Sequence, residues 1–110
     1  MDEIKALQAF SALSQETRLA VFRLLIQCGQ DGCLAGDIAR KLDVRQNTLS
    51  TNLGILQGAG LIASRREGRA VRYFADFEGI RGLLGFLLEN CCGGEPDLCQ
   101  PLIEKIACAC

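Results

Sequence analysis

Apolar positions along the chain keep helical spacing up to about residue 60, switch to strand alternation, and then return to helical spacing. Ile4, Leu7 and Phe10 form a stripe that predicts a first helix from Asp2 to Leu13. Ser14 interrupts it and is placed to N-cap a second helix, Gln15 to Cys28, with Glu16 in the first turn and Gly29 just past the end. The core-facing residues of that helix are expected to be Leu19, Phe22, Leu25 and Ile26. Ile38, Ala39 and Leu42 then make a short apolar face. Asp43-Val44 forms a tight connection into a helix carrying Leu49, Leu53 and Leu56, which Gly58 and Gly60 end. This is the layout of a helix-turn-helix.

Away from its leucines the second of these helices presents Asn47, Ser50 and Thr51, with Arg45 and Gln46 at its N-terminal end. Such polar side chains can hydrogen-bond base edges in a major groove, although a merely solvated face would show the same residues. The next segment, IASRREGRAVRYFAD, favours DNA. Two short strands flank the turn residues Glu67-Gly68, and Val71 and Tyr73 alternate with Arg72, so that one face packs and the other carries charge. Arg69 sits at the tip, with Arg65 and Arg66 just before the turn. A helix-turn-helix followed directly by a basic hairpin is a winged helix, its wing placed to reach backbone or minor groove. The expected fold is therefore mainly α with a β-hairpin wing. Residues 1–92 form the DNA-binding and dimerisation domain, and 93–110 a cysteine-containing tail.

Charge sharpens this reading. The formal net charge is −1, yet residues 40–72 hold seven bases against two acids, a local +5, between two acidic flanks. A basic block of this kind is the electrostatic footprint of phosphate binding. With 110 residues the chain makes one domain, and no apolar run approaches the roughly 18 residues of a membrane span. The opening MDEIKALQAF lacks a basic flank and apolar core, so no secretory signal is read and a cytoplasmic protein without membrane contact is expected. Seven cysteines, an odd number, then point to metal or redox chemistry rather than a disulfide framework.

The stretches ALSQETRLAVFRLL (12–25), DIARKLDVRQNTLSTNLGILQGAGLI (37–62) and REGRAVRYF (66–74) resemble the ArsR family of winged-helix metalloregulatory repressors, a resemblance that spans residues 5–92. It implies a homodimer built on the first and last helices, binding to double-stranded operator DNA, and release when a metal or metalloid binds. Carried over position by position, it places DNA contacts at Gln46, Asn47, Ser50 and Thr51. One departure is informative: many members carry an ELCVCDL box where this chain has GCLAGDI, so Leu34 and Gly36 stand at its thiol positions. Cys33 lies one residue earlier. With Cys28 it could make a thiol pair, but small buried thiols are the favoured reading for both. The histidine-containing zinc site of other members cannot be assembled in a chain without histidine.

The segment ENCCGGEPDLCQP puts Cys91, Cys92 and Cys99 within nine positions, directly after an expected last helix, Phe77 to Cys91. Ile80, Leu83, Leu84, Leu87 and Leu88 give that helix an apolar face suited to a symmetry mate. Gly93, Gly94 and Pro96 let the chain turn back, so that Cys99 can return as a third ligand. Three thiolates and no nitrogen donor suit As(III) or Sb(III), whose lone pair fills the remaining direction, better than zinc. Some members of the resembled family sense arsenite through such a cysteine set. Cys108 and Cys110 are possible additional ligands or spare thiols. The expected function is a repressor that these inducers release from its operator. Alternatives are a thiol redox-sensing repressor or a cadmium or lead sensor through the same thiols. A thiol-based reductase is set aside, since neither a nucleotide-phosphate loop nor a catalytic histidine is visible.

Overall fold

In the computed structural model, residues 1–89 together with 100, 101, 104 and 105 are described. The order of elements is α1 (Glu3–Leu13), α2 (Glu16–Cys28), a 3-10 turn (Gly29–Asp31), β1 (Cys33–Leu34), α3 (Ala35–Leu42), α4 (Gln46–Gly58), β2 (Ile62–Glu67), β3 (Ala70–Ala75) and α5 (Phe77–Leu87). The hairpin β2–β3 is the expected wing, and β1 adds a third antiparallel strand on its outer side, giving the order β1-β3-β2. That third strand was not expected from the sequence. Its two residues are too few to show alternation, and only pairing of Cys33 with Tyr73 and Leu34 with Arg72 defines it. No helix among the described residues is long and apolar enough to cross a membrane.

The core gathers Val21 and Leu25 of α2, Ile38 of α3, Leu49, Leu53 and Leu56 of α4, and Leu61 and Ile62, all buried. Each fully buried leucine contributes on the order of 1.5–3 kcal/mol, so these residues decide how α2, α3 and α4 face one another. The helix-turn-helix positions Ile38, Ala39 and Leu42 pack as the pattern predicts. Between α3 and α4, Asp43 adopts a left-handed conformation with φ 53°, and its N–H and that of Val44 close onto carbonyls of the last turn of α3. Aspartate tolerates this region better than most residues.

The expected inner face of α2, its cap and the end of the last helix need correction, and the inner face of α1 is new. In α2 the buried residues are Val21 and Leu25, whereas Leu19 and Ile26 are 44% and 39% exposed and Phe22 is half-buried. The helix carries apolar residues nearly all round, so spacing alone could not choose its inner face. Gln15, not Ser14, caps α2, its side-chain oxygen accepting from the Arg18 N–H, while Ser14 ends α1. In α1 the buried face is Ala6, Ala9 and Ala12, and Ile4 and Leu7 are 71% and 61% exposed. Small alanines let α1 approach the core closely and leave its larger apolar stripe outward. The final helix ends at Leu87 with Leu88 as its cap, short of the expected Cys91.

Two close fits hold the ends of this framework. Asp76 caps α5 by accepting from the N–H groups of Glu78 and Gly79, and its own N–H donates to Leu61 O at 2.9 Å. A Cβ on Gly79 would collide with Gly60 O, so α5 touches the α4–β2 turn backbone to backbone. Arg18 of α2 donates from Nε to Ala12 O (2.7 Å) and from an Nη to Oδ1 of the buried Asn52 on α4 (3.2 Å). One guanidinium thus joins α1, α2 and α4.

Gly79→Ala is expected to destabilise the fold by about 1–3 kcal/mol through overpacking, read as a lower urea midpoint at fixed protomer concentration. Arg18→Ala should cost about 1–3 kcal/mol by stranding buried Asn52, and adding Asn52→Leu should recover part of that loss. A double variant no more stable than Arg18→Ala alone would show that the pair is not coupled.

Candidate nucleic-acid interface

Burial of Leu49, Leu53 and Leu56 turns the opposite face of α4 outward, and on it Gln46, Asn47, Ser50 and Thr51 are all exposed, with Arg45 exposed at the N-cap. The sequence-predicted recognition residues therefore share one solvent-facing surface. The first turn of α4 contains no acidic residue that would repel a phosphate. Thr51 Oγ1 donates to Asn47 O at 3.2 Å, and Asn47 Oδ1 accepts from the Thr48 N–H. These local bonds hold both side chains close to the helix, leaving the Asn47 amide N–H₂ and the Thr51 methyl available to a partner. Gln57, at the far end of α4, donates to Ser64 Oγ (3.0 Å) and ties the recognition helix to β2.

In the wing, the register sets Arg65 directly opposite Arg72. Like charges facing across a strand pair repel. Glu67 resolves this: its Oε2 accepts from Arg72 Nε at 2.9 Å and from Arg65 at 2.8 Å through an Nη. The hydrogen bond from Arg72, then that from Arg65, holds the Glu67 carboxyl below its ordinary pKa, and the same bond raises that of Arg72. Arg65 also lies over the Phe74 ring, 5.1 Å from its centroid. Arg72 reaches further, donating to Asp31 O at 3.1 Å in the 3-10 turn.

The four wing arginines are thus not equivalent. Arg66 and Arg69 are exposed and make no ion pair among the described residues, so they are the charges directly available to phosphate, while Arg65 and Arg72 are partly neutralised by Glu67. The expected alternation of Val71 and Tyr73 with Arg72 is not seen, since all three are half-buried, Arg72 being held by Glu67 and the Asp31 carbonyl. Strand pattern did not single out Glu67, which as a turn-flanking acid in a basic segment was the available signal. Nor did local pattern point to Arg18 or Asn52, since their contact joins positions 34 residues apart.

Cys28 and Cys33, expected as small buried thiols, are instead joined in a disulfide with a Cα–Cα separation of 6.2 Å. Gly29 and Gly32, both at positive φ, fold the intervening residues back so that the two thiols meet. Among the described residues no group of three or more cysteine or acidic side chains is placed to hold a metal ion. Cys91, Cys92, Cys99, Cys108 and Cys110 lie outside the described residues.

Replacing Glu67 by Gln is expected to leave Arg65 and Arg72 uncompensated, lowering amide protection in Ala70–Phe74 and steepening the salt dependence of duplex binding by up to about one unit. Because the folded Glu67 value is depressed, its contribution is complete above the ordinary carboxylate range and is lost as pH falls through the lower folded value. Hydrogen exchange across that acidic window should therefore show the unmodified wing loosening while E67Q does not change. Equal pH dependence in both proteins would remove Glu67 from this role.

The chain matches the model of a helix-turn-helix domain over residues 13–65. It is 35% identical over 78 residues to the biofilm growth-associated repressor of Agrobacterium fabrum, covering 69% of this chain and 67% of that protein. With the arsenical resistance operon repressor of Escherichia coli it shares 34% identity over 73 residues, 66% of this chain and 61% of the relative, so the likeness leaves over a third of that protein's length unmatched. Among solved structures, an ArsR-like transcriptional regulator from Rhodococcus superposes with TM-score 0.68 at 30% identity, covering 97% of this chain and 96% of that one. A homodimeric winged helix-turn-helix DNA-binding domain from Mycobacterium bovis superposes with TM-score 0.63 at 29% identity, over 76% of this chain and 74% of that one. An outward polar face on α4, a basic wing beside it, and these likenesses, one of them spanning 97% of the chain, together establish that this protein belongs to the ArsR family of winged-helix transcriptional regulators.

Proposed function

We propose that this protein is a homodimeric repressor that trivalent arsenic or antimony releases from operator DNA. The observation carrying the DNA half is the exposed polar face of α4 beside the basic wing, with Arg45, Gln46, Asn47, Ser50 and Thr51 reading the groove, Arg66 and Arg69 meeting the backbone directly, and Arg65 and Arg72, shared with Glu67, adding positive charge beside them. Phosphate contacts from the wing position the domain, and base-edge contacts from α4 select the site. Such work places the protein in the cytoplasm with the chromosome.

Dimer formation is supported by apolar side chains that one protomer leaves uncovered. Ile4, Leu7 and Phe10 on α1 and Leu84 and Leu87 on α5 are 39–71% exposed, too much large apolar surface to be explained as scattered positions. The M. bovis domain, described as homodimeric, supports the same reading. Two recognition helices presented about 34 Å apart would then meet successive turns of the major groove.

For the inducer, the donor chemistry of Cys91, Cys92 and Cys99 fits a three-coordinate, thiophilic ion with a lone pair, and the absence of histidine from the chain removes the usual nitrogen donor. When bound, such an ion would supply three covalent links to sulfur. Cys108 and Cys110 are candidate further thiolates. The E. coli relative's description as an arsenical resistance operon repressor supports this choice. Because α5 ends at Leu87, the thiols follow closely on the helix that carries Leu84 and Leu87. A rearrangement there bears on how two protomers pack, and through them on the separation of the recognition helices.

In gel-shift titrations against a duplex selected by the protein from a randomised pool, saturating arsenite is expected to weaken binding about 5- to 150-fold. The paired change C91S and C92S should hold the duplex at the same arsenite concentration. Unchanged binding of the unmodified protein under arsenite, or a response to cadmium or lead alone, would overturn the assignment of the inducer.

A further inference from the structure

The disulfide between Cys28 and Cys33 ties together two elements that the wing depends on. Cys28 closes α2, and Cys33 begins β1, which pairs with β3 of the wing at Tyr73. Between them, the Asp31 carbonyl accepts from Arg72, and Gly32 lies so close to Tyr73 O and the Phe74 ring that a Cβ there would come within 2.5 Å and 2.7 Å of them. The closed loop is therefore the base on which β3 rests. Cys28 is half-buried, whereas Cys33 is 7% exposed, so Cys28 is the more accessible residue of the pair.

We propose that Cys28–Cys33 is a thiol–disulfide exchange site whose redox state sets how firmly the wing is held, separate from the thiols assigned to the inducer. Its consequence for DNA rests on the DNA-binding reading above. The co-reactant is a dithiol, small or protein-borne. One thiolate of that dithiol attacks Cys28 Sγ, the S–S bond breaks, and Cys33 leaves as a thiolate that takes up a proton. The second thiol of the reductant, deprotonated, attacks the reductant sulfur joined to Cys28, forming the reductant's disulfide and releasing Cys28 as a thiolate, which is protonated in turn. Two electrons and two protons pass to the protein, and the reductant becomes a disulfide. Without the bond, residues 29–32 are no longer held as a closed loop. Arg72 then keeps Glu67 but loses a fixed Asp31 carbonyl, and β1 is freed from α2.

The geometry also explains why this site differs from a metal centre. Two sulfurs meet, and among the described residues no third cysteine or acidic donor joins them in a group fit for an ion. Two-electron exchange needs only the pair.

The experiment compares the full chain with its C28S/C33S double variant, each after oxidation and after treatment with excess dithiothreitol. Amide exchange in β1 and β3 is measured without DNA, and affinity is measured for the pool-selected duplex without arsenite. The unmodified chain is expected to exchange faster in β3 when reduced and to bind the duplex about 5-fold or more weakly. The double variant should match the reduced form under both conditions. Wing exchange unaffected by reduction, a pair that stays bonded under excess dithiothreitol, or redox dependence undiminished in the double variant would each overturn the proposal. If wing exchange shifts as expected while no form binds any duplex, the DNA-binding reading fails and the coupling of the disulfide to the wing stands.

Discussion

Burial of one leucine face of α4 is the constraint on which everything else in this molecule depends. Leu49, Leu53 and Leu56 have nowhere to go but against Val21, Leu25 and Ile38, and their packing fixes the rotation of α4 about its own axis. On a helix, fixing one face fixes the opposite one, so the polar residues face water whatever local bonds they make. A DNA-reading surface can in this way be specified by the core alone.

The wing is built on a different principle. Strand register forces Arg65 against Arg72, and only the shared carboxylate of Glu67 makes that pairing tolerable. The hairpin therefore divides its positive charge into a structural half and a half offered to solvent, Arg66 and Arg69. Such exposed pairs contribute little to global stability. Their value lies in holding the hairpin as one shape, and the reach of Arg72 to the Asp31 carbonyl extends that shape into the turn closed by Cys28 and Cys33.

A set of contacts runs from α1 and α5 to α4, which carries the exposed polar face. Arg18 joins the last turn of α1 to Asn52 of α4, and Gly79 of α5 rests on the backbone of Gly60 where α4 ends. The elements whose larger apolar residues are left uncovered, α1 and α5, are thus linked to α4, α1 by way of Arg18 of α2 and α5 by a backbone approach at the end of α4. Both elements also join the hydrophobic core that holds α4, through Ala6, Ala9 and Ala12 of α1 and Leu83 of α5.

Local pattern in the sequence determined the helix-turn-helix, the hairpin and the outward set Gln46, Asn47, Ser50 and Thr51, because each depends on periodicity or turn chemistry within a dozen or so residues. The family's shared segments reinforced that reading. Only the tertiary structure decided which face of α2 is inner, that small alanines rather than Ile4 and Leu7 anchor α1, and that a two-residue strand flanks the wing. It alone joined Cys28 to Cys33, paired Arg18 with Asn52, and set Glu67 between two arginines. The physical reason is common to all of these: an inner face, a bond between distant side chains and the sharing of a carboxylate exist only once separate elements have docked, and no spacing along the chain encodes the partner.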